Sequence, residues 1–138
     1  MAGGGGSVQS RAKTQSKITP ASAKDKGRRL QRWVCDQVAA ILGVPCGYDE
    51  HVAPREMGQN GSDIRVVGDY KDQFPFYVEC KWQEVWSLPS WISITKVRAG
   101  NQPWMIVMKR NRQEPVVVVD AEVFFSLLGE LVRRKKNG

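Results

Sequence analysis

Gly61-Ser62-Asp63-Ile64-Arg65-Val66-Val67, followed by Phe76-Tyr77-Val78-Glu79-Cys80-Lys81-Trp82, is the stretch whose reading decides the fold. With a period of two, the second half is a strand: Phe76, Val78 and Cys80 fall on one face, Tyr77, Glu79 and Lys81 on the other. Ile64 to Val67 is short, rich in β-branched residues and bounded by Gly61 and Gly68, so it reads as another strand. Gly68 to Gln73 is short enough to fold the two into a hairpin. Pairing them carries Asp63 towards Glu79, with Lys81 alongside. That set suits one chemistry. A hard divalent cation such as Mg2+ or Mn2+ takes one or two carboxylates together with water and phosphate oxygens. A neighbouring lysine orients water or offsets charge growing on a phosphate. The plainer alternative is a surface strand carrying an ordinary Glu and Lys, with Asp63 as a turn residue.

Outward from this core, the chain reads as one domain with an arm. Its 138 residues and 41% hydrophobic content allow one modest core. No apolar run is long enough to span a bilayer, and no secretory segment is visible. The net charge of +7 is uneven: up to Arg32 there are eight basic residues and one acid, while the remainder balances at thirteen each. Such a basic arm suits a polyanion; the bland reading is a solubilising tail. Cys35, Cys46 and Cys80 show no metal spacing and read as reduced, mostly buried thiols of an intracellular protein.

In order, residues 1–23 form a Gly/Ser-rich basic arm expected to be disordered. Ser22 is positioned to cap a helix from Lys24 to Leu42, stopped by Gly43 and Pro45, with an apolar stripe of Leu30, Trp33, Val34, Val38 and Ile41. A loop with a short edge strand follows. The lone His51 reads as a hydrogen-bonded or surface residue. After the core come a helix from Pro89 to Arg98, a doubly covered strand Trp104–Lys109, a buried strand Pro115–Val119, and a helix capped by Asp120. The last helix carries the stripe Val123, Phe124, Leu127, Leu128, Leu131. The five tryptophans read as core or interface before base-stacking platforms. Arg28, Arg29, Lys96, Lys109 and Arg110 are candidate phosphate contacts, and Gln83 follows the Glu-x-Lys strand closely enough to touch substrate or a bound water.

An Asp opening one strand, Glu-x-Lys on the next, and this order of helices and strands resemble the PD-(D/E)XK nuclease superfamily, within it the Holliday-junction-resolvase branch and phage-type endonucleases. The resemblance implies an α/β, restriction-endonuclease-like core over residues 24–138, a central mixed sheet of four to five strands flanked by helices. It implies Mg2+ (or Mn2+) on Asp63, Glu79 and the Cys80 or Val78 backbone carbonyl, and Lys81 on the attacking water. It also implies branched DNA as substrate and a homodimer, its contact made by exposed tryptophans. In many members the first helix adds a glutamate; here the nearest equivalent is neutral Gln31, which leaves a helix-borne ligand in doubt. Two rivals stand beside this reading: a restriction- or repair-type nuclease on duplex or flap DNA, and a non-catalytic nucleic-acid-binding module of the same fold.

Overall fold

The computed structural model describes residues 20–56 and 58–138, so most of the basic arm lies outside the described residues. Helix α1 spans Pro20–Leu42, beginning before the expected Lys24, and Ser22 sits inside it instead of capping it. Leu30, Val34, Cys35, Val38 and Ala39 form its buried face. Trp33 and Ile41, both assigned to the stripe, are 46% and 73% exposed, because the buried arc is centred on the Val38–Cys35 side. Gly43 ends the helix at φ 70°, where its flexible backbone lets Val44 N–H reach back to the Ala39 carbonyl.

Strands β1 (Val52–Pro54) and β2 (Ile64–Val66) form an antiparallel pair, with Ala53 opposite Arg65. A four-residue helix, α2 (Tyr70–Gln73), interrupts the path to β3 (Tyr77–Trp82). β3 pairs in parallel with β4 (Trp104–Lys109), and β4 pairs antiparallel with β5 (Val116–Val119). Helix α3 (Leu88–Ala99) makes the crossover between β3 and β4, and α4 (Ala121–Asn137) closes the chain.

The expected hairpin and continuous sheet therefore need correction. The five strands form a two-stranded and a three-stranded sheet, and β2 and β3 do not pair as a ladder. Side chains take over at their junction. Asp63 N–H donates to the Val78 carbonyl at 2.8 Å, Ser62 Oγ accepts from Val78 N–H at 2.9 Å, and Asp63 Oδ2 accepts from Cys80 N–H at 2.7 Å. A hydroxyl and a carboxylate thus occupy acceptor positions that carbonyls hold in a regular ladder.

Helices cover both faces of this arrangement. One core joins α1 to β1, β2, Val78 and Val107; the other joins Trp91 and Ala99 of α3 to Tyr77, Trp104, Ile106 and Met108. β4 is therefore buried on both sides, as its apolar run requires. β5 is not the buried strand expected: as the sheet's edge it leaves Val116 and Val117 44% and 55% exposed. Asp120 does cap α4, accepting from Glu122 N–H, but no residue of α4 is buried.

Cys35 and Cys46 are joined as a disulfide, against the expectation of three free thiols; the turn after α1 folds Cys46 back onto the helix. Cys80 remains free. Among the described residues no helix is long and apolar enough to cross a membrane.

Candidate active site

Three elements converge on Asp63 and Glu79. Alternation along β3 sends the Glu79 and Lys81 side chains to one face, where Lys81 Nζ lies 3.9 Å from Glu79 Oε2 and 5.6 Å from the Trp91 ring centroid. Asp63 approaches the open edge of β3 from the β2 side and is fastened there by Cys80 N–H. The Cys80 carbonyl leaves the strand on that same edge, since N–H and C=O of one strand residue point the same way. The Val78 carbonyl is already used by Asp63 N–H, so Cys80 is the better placed of the two oxygen donors.

From the third element, Gln31 on α1 donates through Nε2 to the carbonyls of Asp63 (2.6 Å) and Arg55 (2.9 Å). The residue nearest to a helix-borne ligand thus positions the backbone of the aspartate. Glu56 accepts from Gln59, and neither it nor Glu50 lines the clefts around the carboxylates.

Those clefts lie on two sides of the pair. One, of about 360 Å³, includes Asn60, Gly61, Tyr77 and Arg98; the other, of about 230 Å³, includes Lys24, Gly27, Arg28 and Gln31. Burial, and then the Glu79 charge, push the Asp63 carboxyl up to about 6, against the Cys80 N–H bond and the Lys81 and Arg55 charges. Burial also raises Glu79, with Lys81 and Arg98 opposing. The Cys80 thiol is driven well up, first by burial and then by both carboxylates, so this sulfur stays a neutral bystander.

Arg28 alone among the candidate phosphate contacts lines a cleft with the carboxylates. Arg29 and Lys109 lie instead over the Trp82 ring, at 5.3 and 4.7 Å from its centroid, joined by Lys26 at 5.9 Å. Trp82 Nε1 donates to Asn111 Oδ1, which also accepts from Lys26. Lys96 and Arg110 are exposed and line neither cleft. Gln83 is exposed beyond the end of β3, and it too lines neither cleft. His51 packs edge-on against Tyr70, as a structural histidine does. Tyr77, on the Glu79 and Lys81 face of the strand as its period predicts, lines one cleft, and Arg55, from the loop before Asp63, is an addition that the strand pattern did not single out.

Over residues 22–136 the chain matches the family described as phage putative PDDEXK endonuclease. The chain belongs to this family. No curated protein and no solved structure matches it. Asp63, Glu79 and Lys81, the acidic pair and lysine of the sequence reading, lie together at the junction of β2 and β3.

Among the described residues, no three or more His, Cys, Asp or Glu side chains are grouped to hold a metal ion. Two carboxylates at one strand edge, with a carbonyl beside them, are nevertheless the oxygen-rich, incomplete set that Mg2+ or Mn2+ accepts when phosphate and water complete its shell.

Proposed function

We propose that this PDDEXK protein is a divalent-metal-dependent endonuclease that hydrolyses phosphodiester bonds in branched DNA and works as a homodimer. The observation that supports it most is the fastening of Asp63 to the β3 edge beside Glu79, with Lys81 at 3.9 Å from that glutamate. Two acids kept close, each with its carboxyl raised, have no use in a purely electrostatic DNA binder, where they repel phosphate.

Asp63, Glu79 and the Cys80 carbonyl would hold the metal, which when bound supplies positive charge to the phosphate and acidifies water. The remaining work falls to the chain. Gln31 fixes the Asp63 backbone, and Arg28 and Arg98, each in a different cleft beside the carboxylates, would seat the phosphate. Lys81, held between Glu79 and the Trp91 indole, would orient the attacking water or donate a hydrogen bond to the phosphate.

Of the five tryptophans, Trp33 on α1, at 46%, is the exposed one. Trp91 and Trp104 are buried, and Trp82 and Trp86 direct their N–H groups to Asn111 and the Gln83 carbonyl. The apolar surface lies on α4 and β5, where eight residues from Val116 to Val132 are 39% to 67% exposed. Six of the eight lie on α4, a helix with no buried residue, while Val116 and Val117, adjacent on β5, face opposite sides of the sheet.

The test is cleavage of labelled DNA with Mg2+ or Mn2+, across a four-way junction, a flap, linear duplex and single strand, beside Asp63→Ala and Lys81→Ala. Symmetric paired cuts in the junction, lost in both variants, support the reading. Cutting of another member keeps the chemistry and changes the substrate. Binding without any cutting rejects the enzyme.

A further inference from the structure

A cavity of about 730 Å³ shares the lining residues Gly61, Tyr77 and Arg98 with the cleft at Asp63 and Glu79, so the two adjoin. Its charged lining is Arg55, Arg65, Lys71 and Arg98, with no Asp or Glu among the lining residues. Among the described residues none of these cations is within ion-pair distance of a carboxylate. Arg55 donates to the Ser62 carbonyl (2.7 Å) and Arg65 to the Tyr48 carbonyl (2.8 Å), Arg65 also bordering a second cleft with Asp49 and Glu50. Gly61, at φ 114°, leaves the guanidinium of Arg55 room: a Cβ there would lie 3.2 Å from Arg55 Cζ. Between the cations the wall is apolar, formed by Ile64, Phe74, Phe76 and Pro103.

Four cations around an apolar wall call for a ligand with both anionic and apolar parts. A base-paired duplex presents phosphates outward and keeps its bases stacked inside, so it would leave the wall in contact with water. An unpaired strand offers phosphates to the rim and bases or sugars to the wall. The volume lies in the range that encloses a small organic ligand, about 300–1,000 Å³, which suits one or two nucleotides and not a helix.

We propose that this cavity binds unpaired nucleotides adjoining the bond to be cut. Arg65, Lys71 and Arg98 hold their phosphates, and Phe76 offers a ring to a base. The word "cut" rests on the endonuclease reading; the binding does not. It also narrows the substrate, favouring DNA with unpaired nucleotides near its branch over continuous duplex.

The test is fluorescence anisotropy in chelator, using the Asp63→Ala protein as the starting point, with a labelled single strand, a flap and a blunt duplex. Adding Lys71→Ala and Arg65→Ala should weaken single-strand and flap binding about tenfold and leave the blunt duplex within twofold. The slope of log K against log salt for the single strand should flatten by roughly 1.4, two phosphates at about 0.7 each. Phe76→Leu, which keeps apolar bulk but removes the ring, should weaken the single strand and flap alone. Unaltered single-strand affinity, or an equal loss on blunt duplex, overturns the proposal. Unchanged duplex binding also reports that the variants are folded. Should the wild type cut no DNA while these selective losses appear, the endonuclease reading fails and the cavity assignment stands.

Discussion

The Asp63 carboxylate accepts the Cys80 backbone N–H at 2.7 Å, so the acid at the centre of the site also holds two sheets together. The proposed metal-binding role and the junction of the two sheets therefore fall on one side chain. Its charge is a cost to the metal-free fold, since burial and Glu79 both raise its carboxyl.

Asp63→Asn should accordingly stabilise the metal-free protein at neutral pH. The folded carboxyl titrates near 6, above the unfolded value, so between about pH 4 and 6 the folded chain binds more protons and loses stability as pH rises. The amide keeps an oxygen for Cys80 N–H and carries no charge. At pH 7.5 in chelator the variant should exceed wild type by on the order of 1–3 kcal/mol in urea unfolding, the gap closing towards pH 4. Adding Mg2+ should raise the wild-type midpoint and leave the variant's unmoved. A wild type more stable than the variant at pH 7.5 in chelator would contradict the raised carboxyl.

Ser62→Ala tests the other half of the junction. The hydroxyl accepts from Val78 N–H at 2.9 Å, and its removal leaves that buried donor without this acceptor. A loss of about 1–2 kcal/mol in urea unfolding is expected. Because Asp63 is the next residue, activity should fall further than the loss of folded protein accounts for, through kcat more than KM. Wild-type stability would show that the hydroxyl does not carry the junction.

That Glu79 and Lys81 share a face was legible, because a period-two strand dictates it. Why Asp63 reaches Glu79 was not. A hairpin was the simplest route, whereas Ser62 and Asp63 replace carbonyls with side chains, which no apolar pattern records. Cys35 and Cys46 met for a similar reason: their link depends on the turn after α1, which spacing alone does not give. The stripe of α4 was legible as apolar, but amphipathicity says only that a face seeks cover. Arg65 and Lys71 gave no signal, because their cavity exists only once β2, α2 and β3 are folded together.

Trp82 should act as a platform for cations and not as a stacking surface for bases. Lys109, Arg29 and Lys26 lie within 6 Å of its ring centroid, and its N–H is bound to Asn111. Three like charges so close repel one another, and a phosphate relieves that repulsion. Arg29→Ala with Lys109→Ala should flatten the salt slope of duplex binding by roughly 1.8, while Trp82→Phe, which keeps an aromatic face, should leave affinity within threefold. A loss in Trp82→Phe as large as in the double variant would restore the stacking reading.

The proposed homodimer would pair two copies of α4, a helix with no buried residue. In an antiparallel pairing centred between Leu127 and Leu128, Phe124 would meet Leu131 of the partner subunit, and Asp120 at one helix end would meet Lys135 of the partner subunit at the other. Both contacts recur by the two-fold axis, as an isologous interface requires, and the opposed helix dipoles agree with it. The basic arm is too poor in apolar residues to serve instead. Leu127→Glu with Leu131→Glu replaces side chains already about half exposed, so each folded subunit should be little affected. Sedimentation should show a wild-type dimer and a variant monomer with an unchanged far-UV spectrum. On a four-way junction the variant should nick single strands and lose paired cutting. A monomeric wild type at tens of micromolar would leave α4 to some other partner and remove the dimer from the proposed mechanism.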